Sequence, residues 1–265
     1  MKAAFYARLL FGASAVLFGV VELRWHDSDM WQFLHPLGTL AATVAAWFLT
    51  IAVITGGIAV MFSRTTQFAW IALGGVFLIF SLVCVPDMIA SPLNKDPYIN
   101  FFEKFSIVCG ALAGYSLSIT LATRRVSLIR MSRILLGVCA LSFAWAQVVY
   151  LQYTASLVPA WIPPNQMFWT IVTTIAFALA GIALLIDRQA ALATNLMALM
   201  MALFGLLVWV PRIAGHPQVL SNWNEISMNY LMTAAAWVVG IALAFASAPS
   251  PERFSGTRLT RPVVR

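Results

Sequence analysis

The sequence predicts an all-α polytopic membrane protein, with eight transmembrane helices arranged as two tandem parallel four-helix bundles. Three observations lead there. Apolar residues make up 62% of the 265-residue chain and charged residues only 9%, about a third of the charge a soluble domain carries. Eight apolar runs are each long enough to cross a hydrocarbon layer about 30 Å thick, which takes roughly 20 helical residues. The chain also repeats itself at a spacing near 125 residues.

The runs lie near 6–23, 42–62, 67–86, 105–123, 133–152, 168–186, 190–210 and 228–248. Each is expected to be helical, because lipid offers no partner to backbone N–H and C=O groups. The first run follows Lys2 and Arg8 as a signal peptide would. The stretch 21–25 that ends it has no small-residue cleavage site, so it is read as a retained span. Positions 63–66 and 187–189 are bare turns. The connections on the opposite side are longer and hold His26, His35 and His216.

An even number of spans puts both termini on one side. That side takes 12 of the 16 basic residues: Lys2, Arg8, Arg64, Arg124, Arg125, Arg130, Arg133, Arg188, Arg253, Arg258, Arg261 and Arg265. Only Arg24, Lys95, Lys104 and Arg212 fall on the other. The positive-inside rule then places the N- and C-termini in the cytoplasm. The tail, 251–265, is polar and basic and is expected to be disordered. Its arginines suit anionic headgroups.

Shifted by about 125, Arg8-Leu-Leu-Phe-Gly12 falls on Arg133-Ile-Leu-Leu-Gly137, and Val85-Pro86-Asp87 falls on Val210-Pro211-Arg212. The stretch 56–64 falls on 180–188, and Glu103 falls near Glu225. The units are 1–125 and 126–250, joined at a basic loop, 124–133. Each has an even number of spans, so they are expected to be parallel copies about an axis along the membrane normal.

The repeat also ranks the polar residues. Half one presents Glu22, Asp87 and Glu103 at the outer ends of its spans; half two presents Gln147, Arg212 and Glu225. Charge this close to lipid usually faces a bundle interior or water, which makes these six the ligand-binding candidates. Plainer readings stand beside that one. Arg212 and Glu225 suit an ion pair latching two helices, Glu22 and Asp87 suit a solvated interface, and Pro86 and Pro211 suit helix ends.

Several chemistries lack their signatures. The basic residues are scattered among spans and form no nucleic-acid face. Cys84, Cys109 and Cys139 sit singly in apolar runs, with no Cys-Xaa-Xaa-Cys spacing for zinc or a dithiol. No Gly-Xaa-Gly-Xaa-Xaa-Gly is present. No pair of histidines lies in facing spans for haem, and no nucleophile, base and orienting partner stand out as a catalytic set.

The second half, 133–248, resembles the DoxX family of bacterial membrane proteins. The resemblance is carried by Tyr153-Thr-Ala-Ser-Leu-Val-Pro-Ala-Trp-Ile-Pro163, Gly181-Ile-Ala-Leu-Leu-Ile-Asp-Arg188 and Leu207-Val-Trp-Val-Pro-Arg212. The first half reads as a diverged copy of the same four-helix unit. The resemblance implies a bacterial inner-membrane protein. It also implies links to the membrane subunit of a thiosulfate:quinone oxidoreductase and to complexes handling oxidative and thiol stress. Family members often place a histidine near the end of the first span and another before the Pro-Arg of the third. Gln147 and Trp209 stand there in half two, Glu22 and Cys84 in half one.

The expected function is a non-catalytic or accessory subunit of a membrane redox system, holding a quinone or lipid, with lipids and redox or periplasmic proteins as partners. Transport of a small or lipophilic solute is the alternative. A scaffold or chaperone docking partners on outer loops such as Pro159-Ala-Trp-Ile-Pro-Pro164 is another.

Overall fold

The computed structural model describes residues 2–25, 38–62 and 64–247. His26, His35 and the tail 251–265, on which expectations were placed above, lie outside the described residues. Within them the chain is all-helical, without strands. The helices are α1 (Lys2–Arg24), α2 (Thr39–Met61), α3 (Thr66–Val83), α4 (Val85–Ala90), α5 (Asp96–Ser118), α6 (Ala122–Val149), α7 (Leu151–Leu157), α8 (Gln166–Leu185), α9 (Ala190–Phe204), α10 (Val210–Gly215) and α11 (Leu220–Ser247). A π-helical turn, Gly205–Trp209, joins α9 to α10.

Seven segments are long and apolar enough to cross a membrane, where eight were expected. They are α1, α2, α3 with α4, α6, α8, α9 with α10, and α11. The remaining long helix, α5, has 23 residues. It opens at Asp96, with Pro97 in its first turn, nine residues before the expected start. Asn100, Glu103 and Lys104 therefore lie inside the helix and dilute its apolar character. The basic stretch 124–133 is not a loop either, because α6 already begins at Ala122. The chain reverses instead across the non-helical residues 119–121, where Arg125 Nε donates to Ile119 O at 3.1 Å.

The prolines do not end their helices. Pro86 and Pro211 each occupy the first turn of a short helix that prolongs the span. A missing N–H is costless in a first turn, provided the preceding helix is interrupted. Half one makes the interruption with a turn at Cys84 and half two with the π-turn Gly205–Trp209.

Outward faces are apolar, with Phe48, Phe68, Ile71, Leu179 and Leu196 all exposed. In lipid such faces gain nothing by hiding, so association falls to close packing and internal polar contacts. α1 packs on α2 and α11; α3 on α2 and α5; α6 on α5 and α8; α9 on α8 and α11. The central pair, α5 and α11, also pack on each other. They cross at Gly110, where a Cβ would come 2.4 Å from that of Ala235. The α1–α2 contact rests on Gly12 and Gly57, each facing the other's carbonyl; Gly137 and Gly181 do the same between α6 and α8.

Candidate functional site

The helix register builds a polar layer inside half one. The rings of Phe18 on α1 and Phe77 on α3 lie 5.8 Å apart. One turn further along each helix stand Glu22 and Ser81. Gly74 on α3 faces Ala111 on α5, with 3.2 Å between the Ala111 Cβ and a Cβ built at Gly74. α5 runs opposite to α3, so seven residues beyond Gly74 is Ser81 and seven before Ala111 is Lys104. At 1.5 Å per residue, Glu22, Ser81 and Lys104 share one level. Their exposures are 0%, 0% and 2%. Lys104 Nζ donates to Asn100 Oδ1 at 3.0 Å, and Ser81 Oγ to Phe77 O at 2.9 Å. A carboxylate and an ammonium group thus lie at one buried level, just below the break at Cys84.

Lys104 was read from sequence only as an outer-loop charge. Its neighbour Glu103 was named instead, and Glu103 is half-buried, a helical step round from Lys104. Asp87 is exposed on α4, beyond the layer. Of the three candidates of half one, the structure buries only Glu22.

The positions of the second half that align with this layer in sequence are uncharged. Gln147 on α6 is 9% exposed, and its Oε1 accepts from Thr173 Oγ1 at 3.2 Å and Thr174 Oγ1 at 2.8 Å. At a sequence shift of 125, Lys104 aligns with Asn229 and Asn100 with Glu225. Asn229 is 7% exposed, and among the described residues nothing bonds its Oδ1. Glu and Lys in one half are thus Gln and Asn in the other, so both charges are absent together.

Arg212 is half-buried on α10, with its guanidinium 5.6 Å from the Trp209 ring centroid. It makes no ion pair among the described residues, so it does not latch to Glu225, which is exposed on α11. The helix pair is joined there by Asn222 Nδ2, which donates to Arg212 O at 3.4 Å.

A groove of about 490 Å³ opens between the α4–α5 connection and α6, lined by none of the layer residues. Phe102, Leu141 and Trp145 give it apolar walls, Lys95 stands at its rim, and Ser142 contributes a buried hydroxyl without a partner. That volume is in the range of small-molecule sites. The loop segment 159–164 is held by Trp169 Nε1, which donates to Pro163 O at 2.8 Å, and Trp161 projects from it, 72% exposed. No three His, Cys, Asp or Glu gather into a metal-binding group among the described residues.

No family model, no curated protein and no solved structure matches the chain.

Proposed function

We propose that the protein is a non-catalytic membrane subunit that holds a polar-headed apolar ligand, a quinone or lipid, at the buried charged layer of its first half. The observation that carries this reading is the burial of both Glu22, on the membrane-type helix α1, and Lys104, on α5, which packs among such helices. Charge inside such a bundle is costly and marks ligand or proton sites. The groove beside α6 suits an apolar tail. The further link to a redox system is carried by the resemblance of the second half to the DoxX family.

The proposal includes two tandem repeats and eight crossings, with both termini in the cytoplasm of a bacterial cell. Matched contacts support the repeat: Gly12–Gly57 answers Gly137–Gly181, and Gly110 meets Ala235, its own counterpart at a shift of 125. On this reading α5 is the eighth crossing, its polar side chains hidden among α3, α6 and α11. Thiol labelling of single cysteines at Asn94 and Thr120 tests it, since eight crossings put the two on opposite faces.

The ligand is tested on protein purified in mild detergent, by a visible spectrum followed by solvent extraction and mass spectrometry. A stoichiometric quinone or defined lipid is expected; protein free of both counts against the reading. One observation favours transport as a second reading. Helices are interrupted at corresponding positions of the two halves, as in many transporters. Against it, the layer lies two residues from the end of α1 rather than at mid-span. Solute flux in proteoliposomes that falls in Asp87→Ala or Arg212→Ala favours transport.

A further inference from the structure

Arg8 and Arg133 occupy matching places near the same end of the bundle as the chain's first helical residues, and only one of them is internally satisfied. Arg133 is 5% exposed. Its Nη1 donates to Leu184 O and, at 3.5 Å, to Leu185 O, and it lies 3.4 Å from the Asp187 carboxylate. In the aligned first half the residue at the Asp187 position is Ser63, so the acid is missing from the sequence there.

Arg8 is left with little. Its Nη1 donates to Thr66 Oγ1 at 3.4 Å, and its guanidinium stands 5.8 Å from the Phe5 ring centroid. Its Nε is buried and finds no acceptor among the described residues. Among the described residues it makes no ion pair. The other described acids, Glu22, Asp87, Asp96, Glu103 and Glu225, all lie in the halves of their helices away from Arg8. Arg8 is half-buried, and a guanidinium partly withdrawn from water without a counter-ion is unfavourable.

The space beside it is not filled. Arg8 lines a cavity of about 380 Å³ between α1, α3, α5 and α11, together with Thr66, Trp70, Leu117, Ser118 and Ile241. The hydroxyl protons of Thr66 and Ser118 are already donated, to Phe62 O at 2.5 Å and Tyr115 O at 2.7 Å. Charge recognition therefore belongs to Arg8 alone. Its planar fork matches the oxygens of a phosphate in two directions at once. The remaining walls are apolar and suit a hydrocarbon chain.

We propose that this cavity binds a phosphate group, with Arg8 as its counter-ion and the missing internal acid replaced by the ligand. The group comes either from the head of an anionic phospholipid, its chain lying on Trp70, Leu117 and Ile241, or from free inorganic phosphate. The site is separate from the charged layer of Glu22 and Lys104, at the opposite end of the same half.

The test uses the full chain in mild detergent, with three variants. Arg8→Gln removes the cation, Thr66→Asp supplies an internal carboxylate beside it, and Arg8→Lys keeps charge without the fork. Native mass spectrometry counts phosphatidylglycerol and phosphatidylcholine retained after detergent exchange. Calorimetry with inorganic phosphate runs in parallel. Retention of phosphatidylglycerol that is at least about tenfold weaker in Arg8→Gln and Thr66→Asp, with phosphatidylcholine unaffected, supports the site with a lipid source. A phosphate binding heat lost in the same two variants supports it with a free source. Arg8→Lys is expected between wild type and Arg8→Gln. Should Arg8→Gln fail to purify as a single species, Thr66→Asp and Arg8→Lys decide, since both keep the cation. Equal binding of both probes by wild type and Thr66→Asp overturns the proposal.

Discussion

Replacing Glu22 with Gln and Lys104 with Asn copies the amide layer of the second half, Gln147 and Asn229, into the first. Each single substitution leaves one buried charge without the opposite charge that shares its level. Removing one partner of a buried pair costs about 3–5 kcal/mol. Lys104→Asn also vacates the outer part of the lysine stem, for which truncation costs of about 1–2 kcal/mol apply. That cost recurs in the double variant and cancels in the cycle. The double variant removes both charges together, so its cost is expected to fall below the sum of the singles by about 2–3 kcal/mol. The assay is unfolding of the purified protein in mixed micelles with rising dodecyl sulfate, followed by helical circular dichroism. Additivity of the two singles within about 0.5 kcal/mol would show that the charges do not see each other and would refute the shared layer.

Three further outcomes follow from the packing. Gly110→Val brings a side chain into Ala235, where a Cβ already meets atoms at 2.4 and 2.5 Å; a loss of about 3 kcal/mol is expected in the same assay. Arg133→Gln removes the bonds to the carbonyls of Leu184 and Leu185. The expected loss is about 2 kcal/mol, with faster hydrogen exchange in the 184–187 turn; the Asp187 carboxylate is 66% exposed and adds little. Tyr150 donates to the Asp96 carboxylate, and this hydrogen bond, helped by desolvation and the nearby negative charge, raises the phenol above its ordinary value. The raised value means the contact is fully present below the ordinary phenol range and is lost as pH rises through the folded value. Asp96→Asn is therefore expected to lower the phenolate titration of Tyr150, read by difference against Tyr150→Phe; an unmoved titration contradicts the assignment.

Much of the helical frame was legible because hydropathy averages over a whole span. The bounds of α1, α2 and α8 fall within a few residues of expectation for that reason. α5 was displaced because Asp96 and Pro97 make a helix start, while Glu103 and Lys104 argue for a loop in any averaging window. Whether a lysine is solvated or buried depends on helices far away in sequence, here α3 and the register set at Gly74 and Ala111. Glu22 was legible through the repeat. Lys104 was not, because its burial depends on the helices packed around α5 rather than on the residues beside it. Nor does anything in the local pattern announce a crossing point such as that of Gly110 with Ala235. Pro86 and Pro211 misled in the same way: a proline disrupts the turn before it, and whether the helix resumes depends on whether that turn can open, as at Cys84, or widen, as at Gly205–Trp209.

The most direct measurement is the molar ratio of extracted quinone or lipid to protein, in wild type and in the Glu22→Gln, Lys104→Asn double variant, both purified in the same mild detergent. The buried charged layer as ligand site predicts a ratio near one in wild type and near zero in the double variant, with helicity unchanged. An equal ratio in both proteins would contradict it.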